Sequence, residues 1–294
     1  MIMTACFIMP RIGLRASLIT TRSPAVSGSP AAEAGIVVGD VVTGIGGVPT
    51  AQAVLAFWQQ VGLGVTPERA DYAARVIAAG RRDGPRVLTV TRGGKAQTLT
   101  LPSLYTIHRD QRPVSVSSGA KAPTRIRINN SLGDLATIPA FDAAMAAIAP
   151  GNPVIIDVSD TPSGGNTSVA RAMMGWFVQT PTGYQVHSLP AEERETGIAR
   201  QWIEQVLPRA GKFHPGKVII RVGRWTGSMG EGIAIGFRTI GAQVCGGPMV
   251  QLKGAVYDFT LPSSGMVVKL PAERLTTTDG VPREAVVPGE CPVY

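Results

Sequence analysis

Residues 223–232, Gly-Arg-Trp-Thr-Gly-Ser-Met-Gly-Glu-Gly, follow the β-branched run 217–222 and open an Ala/Ile/Gly-rich segment. Ser228 stands between glycines where a strand should turn into a helix. That is the place for a hydroxyl nucleophile, and equally for a helix N-cap. A second glycine turn, Asp-Thr-Pro-Ser-Gly-Gly-Asn at 160–166, follows the apolar run 153–159. In an open α/β sheet, sites gather at the carboxyl ends of strands. Helix starts there present N–H groups and a dipole that favour negative charge. One turn thus offers a hydroxyl and the other the amides of Gly164 and Gly165, which is what acyl transfer requires. Loss of one such oxyanion donor costs about 2.7 to 4 kcal/mol of barrier stabilisation. The plainer reading, in which the glycines only let strand and helix pack closely, stands beside it.

A serine nucleophile needs a base. The elbow Gly-x-Ser-x-Gly is not met, because position 226 is Thr. The elbow also places histidine after serine, whereas His108, His187 and His214 all precede Ser228. A histidine-before-serine triad stays formally open, but His187 and His214 lie in polar segments and read as surface histidines. Lysine is the other base that serines use. An ordinary lysine, with a pKa near ~10.4, is neutral less than about once in a thousand at pH 7. Burial must lower that value by roughly three units. Lys253 is the candidate, since "VQLKGAVYDF" surrounds it almost entirely with apolar residues, while Lys269 reads as solvent-facing.

The rest of the composition narrows the function. A net charge of +8 invites a nucleic-acid partner. The basic residues are nevertheless scattered as singles and pairs, without the aromatic interleaving of an RNA-binding sheet, so none is expected. No His/Cys/Asp spacing suits a metal, and no cofactor is called for. Cys6, Cys245 and Cys291 are too few for a disulfide framework; Cys245 and Cys291 form either one bridge or two buried thiols. No apolar run reaches the ~18 residues of a membrane span. The opening "MIMTACFIMPRIG" is apolar, but no charged export region or small-residue cleavage site is visible.

These residues need a scaffold. In "GSPAAEAGIVVGDVVTGIGGVPT", residues 28–50, Ala31 to Ala34 make a helical turn ended by a left-handed Gly35. A strand at 41–45 then meets a tight Gly46-Gly47 hairpin. Residues 86–92 and 96–101 are two more strands joined by Gly93-Gly94. Between them, at about 51–84, Thr66-Pro67 caps a helix in what reads as an inserted helical hairpin. The pattern resembles a PDZ domain of the bacterial protease-associated kind, placed at 1–106. The resemblance implies that a loop, here Ile12, Gly13 and Leu14 within 11–18, holds a peptide's C-terminal carboxylate while the peptide adds as a strand. A small β-domain without a ligand is the bland alternative.

Beyond a polar linker the pattern alternates, with strands at 125–128, 153–159 and 217–222. Helices are expected at 138–149, at 166–178 capped by Asn166 or Thr167, and at 194–207. A β-hairpin at 256–270 closes the region. The class is α/β or α+β: a β-rich first domain, then βα units on a mostly parallel core over 107–294.

Taken together, "RIRINNSLGD", "PVIIDVSDTPSGGN", "VIIRVGRWTGSMGE" and "TTTDGVPREAVVP" resemble the C-terminal processing (tail-specific) serine peptidases, with their crotonase-like core. In that family the nucleophile stands three residues before a glutamate, as Ser228 stands before Glu231. The base is a lysine 25 residues further on, which falls on Lys253. The Gly-Gly turn supplies the oxyanion amide, here Gly164 or Gly165, with the Ser228 amide as partner. The sequence departs from the family at Ser159, where Arg is usual, at Tyr257, where Gln is usual, and at Gly247-Pro248, where Gly-Glu is usual. It also lacks the strand histidine of the tricorn-like branch. The resemblance implies an endopeptidase acting on polypeptides in a periplasmic or otherwise extracytoplasmic setting. A scaffold that kept the fold without turnover, or a non-peptidase serine hydrolase, are the alternatives.

Overall fold

A computed structural model describes residues 19–20, 29–104, 106, 112–119 and 122–292. Ile12, Gly13, Leu14 and His108 lie outside them. The chain divides into two compact units, with the boundary at Arg109/Asp110.

In the first unit β1 (Ile19–Thr20), α1 (Pro30–Glu33), β2 (Val41–Ile45) and β3 (Val48–Pro49) are followed by helices α2 (Thr50–Gln59) and α3 (Pro67–Ala79). Strands β4 (Arg86–Arg92) and β5 (Lys95–Leu101) complete it, and the sheet order is β1-β2-β4-β5 with β3 on β2. Gly46 and Gly47 both have positive φ, 61° and 80°, as a tight two-residue hairpin demands. Thr66 accepts a hydrogen bond from the Arg69 amide and Pro67 occupies the first helical turn. Ala70, Ala73, Ala74 and Ala78 make one small-residue face of α3 and share a core with Val42, Leu88 and Val90. The expected helical hairpin is therefore α2 packed on α3.

The second unit begins with β6 (Val114–Ser117), β7 (Thr124–Ile128), α4 (Thr137–Ala146), β8 (Val154–Asp157), β9 (Asp160–Thr161) and α5 (Thr167–Met174). It continues through β10 (Thr182–Ser188), α6 (Pro190–Thr196), β11 (Gln201–Val206), β12 (Val218–Val222), β13 (Trp225–Thr226) and α7 (Met229–Thr239). It closes with β14 (Gln243–Gly246), β15 (Ala255–Thr260), β16 (Val267–Thr276) and a 3₁₀ turn at Arg283–Ala285. The central sheet runs β14-β12-β8-β7-β6, parallel through the first four strands and antiparallel at β6. Its apolar strands read as continuous Val/Ile runs because helices bury them. Ile126, Ile156, Ile220 and Val222 join Phe141, Met145, Val169, Met173, Ile233 and Phe237 in one core. A second sheet, β11-β10-β16-β15, is antiparallel. Asn166 caps α5 by accepting from the Ser168 amide.

One expected helix is absent. Residues 194–207 contain the end of α6 and then strand β11, separated by Gly197 at φ 72°. Along β11, Trp202, Glu204 and Val206 turn inward and Gln201, Ile203 and Gln205 outward. An inward glutamate hides the period of two. Glu204 tolerates that position because Arg171 and His187 pair with it.

Candidate active site

The two glycine turns meet through two short strands. β9 follows β8 and β13 follows β12, and they pair in parallel with Trp225 opposite Asp160 and Thr226 opposite Thr161. Two buried threonines stitch them together. The hydroxyls of Thr161 and Thr226 both donate to the Val158 carbonyl, at 2.8 and 2.9 Å. Thr226, which breaks the elbow motif, is thus what ties the Ser228 turn to the neighbouring strand. Nothing in its spacing signalled that role.

Ser228 is half-buried at the start of α7, with φ 51° and ψ −115°. A non-glycine residue there carries strain of about 1–3 kcal/mol, held in place by its surroundings. Those surroundings are close. A methyl group added at Gly164, itself at φ 62°, would lie 2.8 Å from Ser228 Oγ and 3.2 Å from the Met229 nitrogen. The turn at 160–166 therefore lies against the serine, and only glycine fits at 164. A methyl at Gly165 would collide with the backbone of Leu132.

The amides divide unexpectedly. Gly164 N–H donates to the Thr161 carbonyl at 3.2 Å, and Ser228 N–H donates to Glu231 Oε2 at 2.9 Å. Two of the three expected oxyanion donors are thus engaged. Among the described residues the N–H groups of Gly165 and Met229 have no acceptor. Met229 escaped the sequence reading, although the first residue of a helix always has an orphan N–H.

Glu231 is fully buried, as is the α7 face around it. Its carboxylate accepts from Gln251 N–H at 2.7 Å and Leu252 N–H at 3.2 Å, besides Ser228 N–H. Burial pushes its pKa up, against the pull of Arg283 and these amides. Through Glu231 the Ser228 turn and the loop leading to Lys253 share one anchor. The Val250 amide also donates to Thr226 O at 3.0 Å.

Lys253 itself is exposed, with no hydrogen-bond or ion-pair partner among the described residues. This corrects the expectation of burial. Its apolar neighbours in sequence, Val256, Tyr257 and Phe259, are exposed too, and β15 is the edge strand of its sheet. Lys269 faces solvent against Asp258 at 2.5 Å.

The histidines also differ from expectation, since both His187 and His214 are buried. His214 is held by the Asn152 carbonyl at 2.7 Å. His187 stacks on Trp202 and lies 2.6 Å from Glu273 and 3.3 Å from Glu204. Burial alone would lower its pKa, but the two carboxylates prevail and raise it. Polar flanks misled here because the partners come from other strands. Among the described residues no cluster of His, Cys, Asp and Glu could hold a metal. Cys245 and Cys291 form a disulfide.

Residues 22–55 match the PDZ domain family. No characterised protein sequence matches the chain significantly. Among solved structures, the photosystem II D1 C-terminal processing protease superposes with a TM-score of 0.54 at 15% identity, covering 97% of this chain and 71% of that one. Mature CPAF superposes with a TM-score of 0.58 at 12% identity, covering 92% of this chain and 74% of that one. The chain therefore carries a PDZ segment and has the fold of the C-terminal processing peptidases.

Proposed function

We propose that the chain is a serine endopeptidase acting on extended polypeptides. Ser228 Oγ attacks the carbonyl carbon of a peptide bond, and the amine of Lys253 takes up the hydroxyl proton and returns it to the leaving amine. The amides of Gly165 and Met229, which lack acceptors among the described residues, are the donors free for the oxyanion, and Gly164 gives the carbonyl room beside Ser228. Glu231 holds the Ser228 turn. The PDZ segment would hold the substrate, by its C-terminus and through Ile12, Gly13 and Leu14. The observation that carries this reading is Ser228 in a strained strand-to-helix turn, with Gly164 against its hydroxyl and the Gly165 and Met229 amides unpaired among the described residues. The Cys245–Cys291 disulfide supports an oxidising, extracytoplasmic setting. Among the described residues no helix is long and apolar enough to cross a membrane.

The exposed Lys253 favours a second reading, a polypeptide-binding protein without turnover. Incubation with unstructured polypeptides bearing apolar C-termini separates the two. The peptidase reading expects cleavage that is lost in both Ser228→Ala and Lys253→Ala. Cleavage that survives Lys253→Ala removes lysine as the base, and binding without cleavage favours the scaffold.

A further inference from the structure

Residues 251–254 surround Lys253 with irregular backbone. Gln251 has φ 64° and Gly254 has φ 79°, so no regular ladder supports the segment. Its hydrogen bonds run instead to two buried side chains. The Gln251 and Leu252 amides donate to Glu231, as described. The carbonyls of Leu252 and Gly254, on either side of Lys253, both accept from Arg283 Nη2, each at 3.0 Å.

Arg283 opens the 3₁₀ turn and is only 3% exposed. Its Nε is buried and has no acceptor among the described residues, so the guanidinium is committed to these two carbonyls. Burying a cation against neutral oxygens is costly. The charge of Glu231 offsets part of that cost. An apolar side chain could fill the same space without the desolvation, so the benefit of a planar, multiply donating fork lies in position.

Building on the serine-peptidase reading above, we propose that Arg283 is a positioning residue. It holds the Leu252 and Gly254 carbonyls on either side of Lys253 while Glu231 holds the Gln251 and Leu252 amides, and together they fix where the amine is presented to Ser228. Arg283 lies in "TTTDGVPREAVVP", whose resemblance to the family gives it no role.

The test uses the full chain with Arg283→Met, which keeps an unbranched apolar side chain but removes all the donors, and Arg283→Lys, which can reach one carbonyl. Two readouts are taken: amide hydrogen exchange across 250–254, and the pH dependence of kcat and KM on an unstructured polypeptide. In Arg283→Met the exchange of Gln251 and Leu252 should quicken. Misplacing a reacting group by about 1 Å costs ~100-fold, so kcat should fall by about 10- to 100-fold. KM should stay within about twofold, the acid limb of the kcat profile should move, and Arg283→Lys should lie between. Unchanged exchange overturns the clamp whether or not the protein cleaves anything. Faster exchange with an unmoved kcat and pH profile overturns the positioning role. A wild-type chain that neither cleaves nor reacts at Ser228 sinks the peptidase reading, while the exchange result still judges the clamp. Should Arg283→Met fail to fold, Arg283→Lys against wild type decides by the same criteria.

Discussion

The turn that carries Ser228 and the loop that carries Lys253 are held in opposite ways. The first is fixed by its own surroundings: a parallel strand pair, two threonines on one carbonyl, and a buried helix directly behind it. The second has no ladder of its own, is held from outside by Glu231 and Arg283, and leaves its lysine in solvent. A side chain on a strand-to-helix turn is specified mostly by local sequence. One on an irregular loop depends on residues distant in the chain.

Four substitutions test that contrast. The largest stability effect is expected for Gly164→Ala, which forces a methyl group onto Ser228 and a side chain onto positive φ. A loss of about 3 kcal/mol in urea unfolding is expected, together with loss of any turnover. A neutral outcome would mean that the two turns do not touch. Glu231→Gln comes next, because its side chain serves both regions. A carboxamide keeps one acceptor oxygen but turns an NH2 toward at least one of the backbone N–H groups that the other oxygen now accepts, and leaving that buried pair unsatisfied should cost about 2 kcal/mol by the same assay. Ser228→Gly should act in the other direction: release of the backbone strain should raise stability by about 1 kcal/mol while abolishing activity. A loss of stability instead would make the serine an ordinary cap. Lys253→Ala, at an exposed side chain, should change stability by no more than about 0.5 kcal/mol while removing catalysis. A large destabilisation would contradict the exposed placement.

What the sequence made legible follows the same division. The β-branched runs at 154–157 and 218–222, the caps at Thr66 and Asn166, and the Gly46-Gly47 hairpin depend on near neighbours, and they lie where periodicity and turn chemistry put them. The approach of the 160–166 turn to Ser228 was also legible, from the glycines after two buried strands. The failures concern partners from elsewhere. Strand β11 reads as a helix because an inward Glu204 disguises its alternation, and that glutamate depends on Arg171 of α5 and His187 of β10. His187 reads as exposed because its carboxylates lie on β11 and β16. Lys253 reads as buried because apolar residues in sequence do not ensure burial on an edge hairpin. Arg283 gave no signal, since its partners are carbonyls about thirty residues back.

Covalent labelling tests whether Ser228 is a reactive nucleophile. The purified chain is treated with a fluorophosphonate, which phosphonylates activated serine hydroxyls, and the adduct is located by peptide mass spectrometry. The prediction is a single adduct on the peptide containing Ser228, absent from Ser228→Ala. No adduct on the wild-type chain, or one that persists in Ser228→Ala, would contradict it.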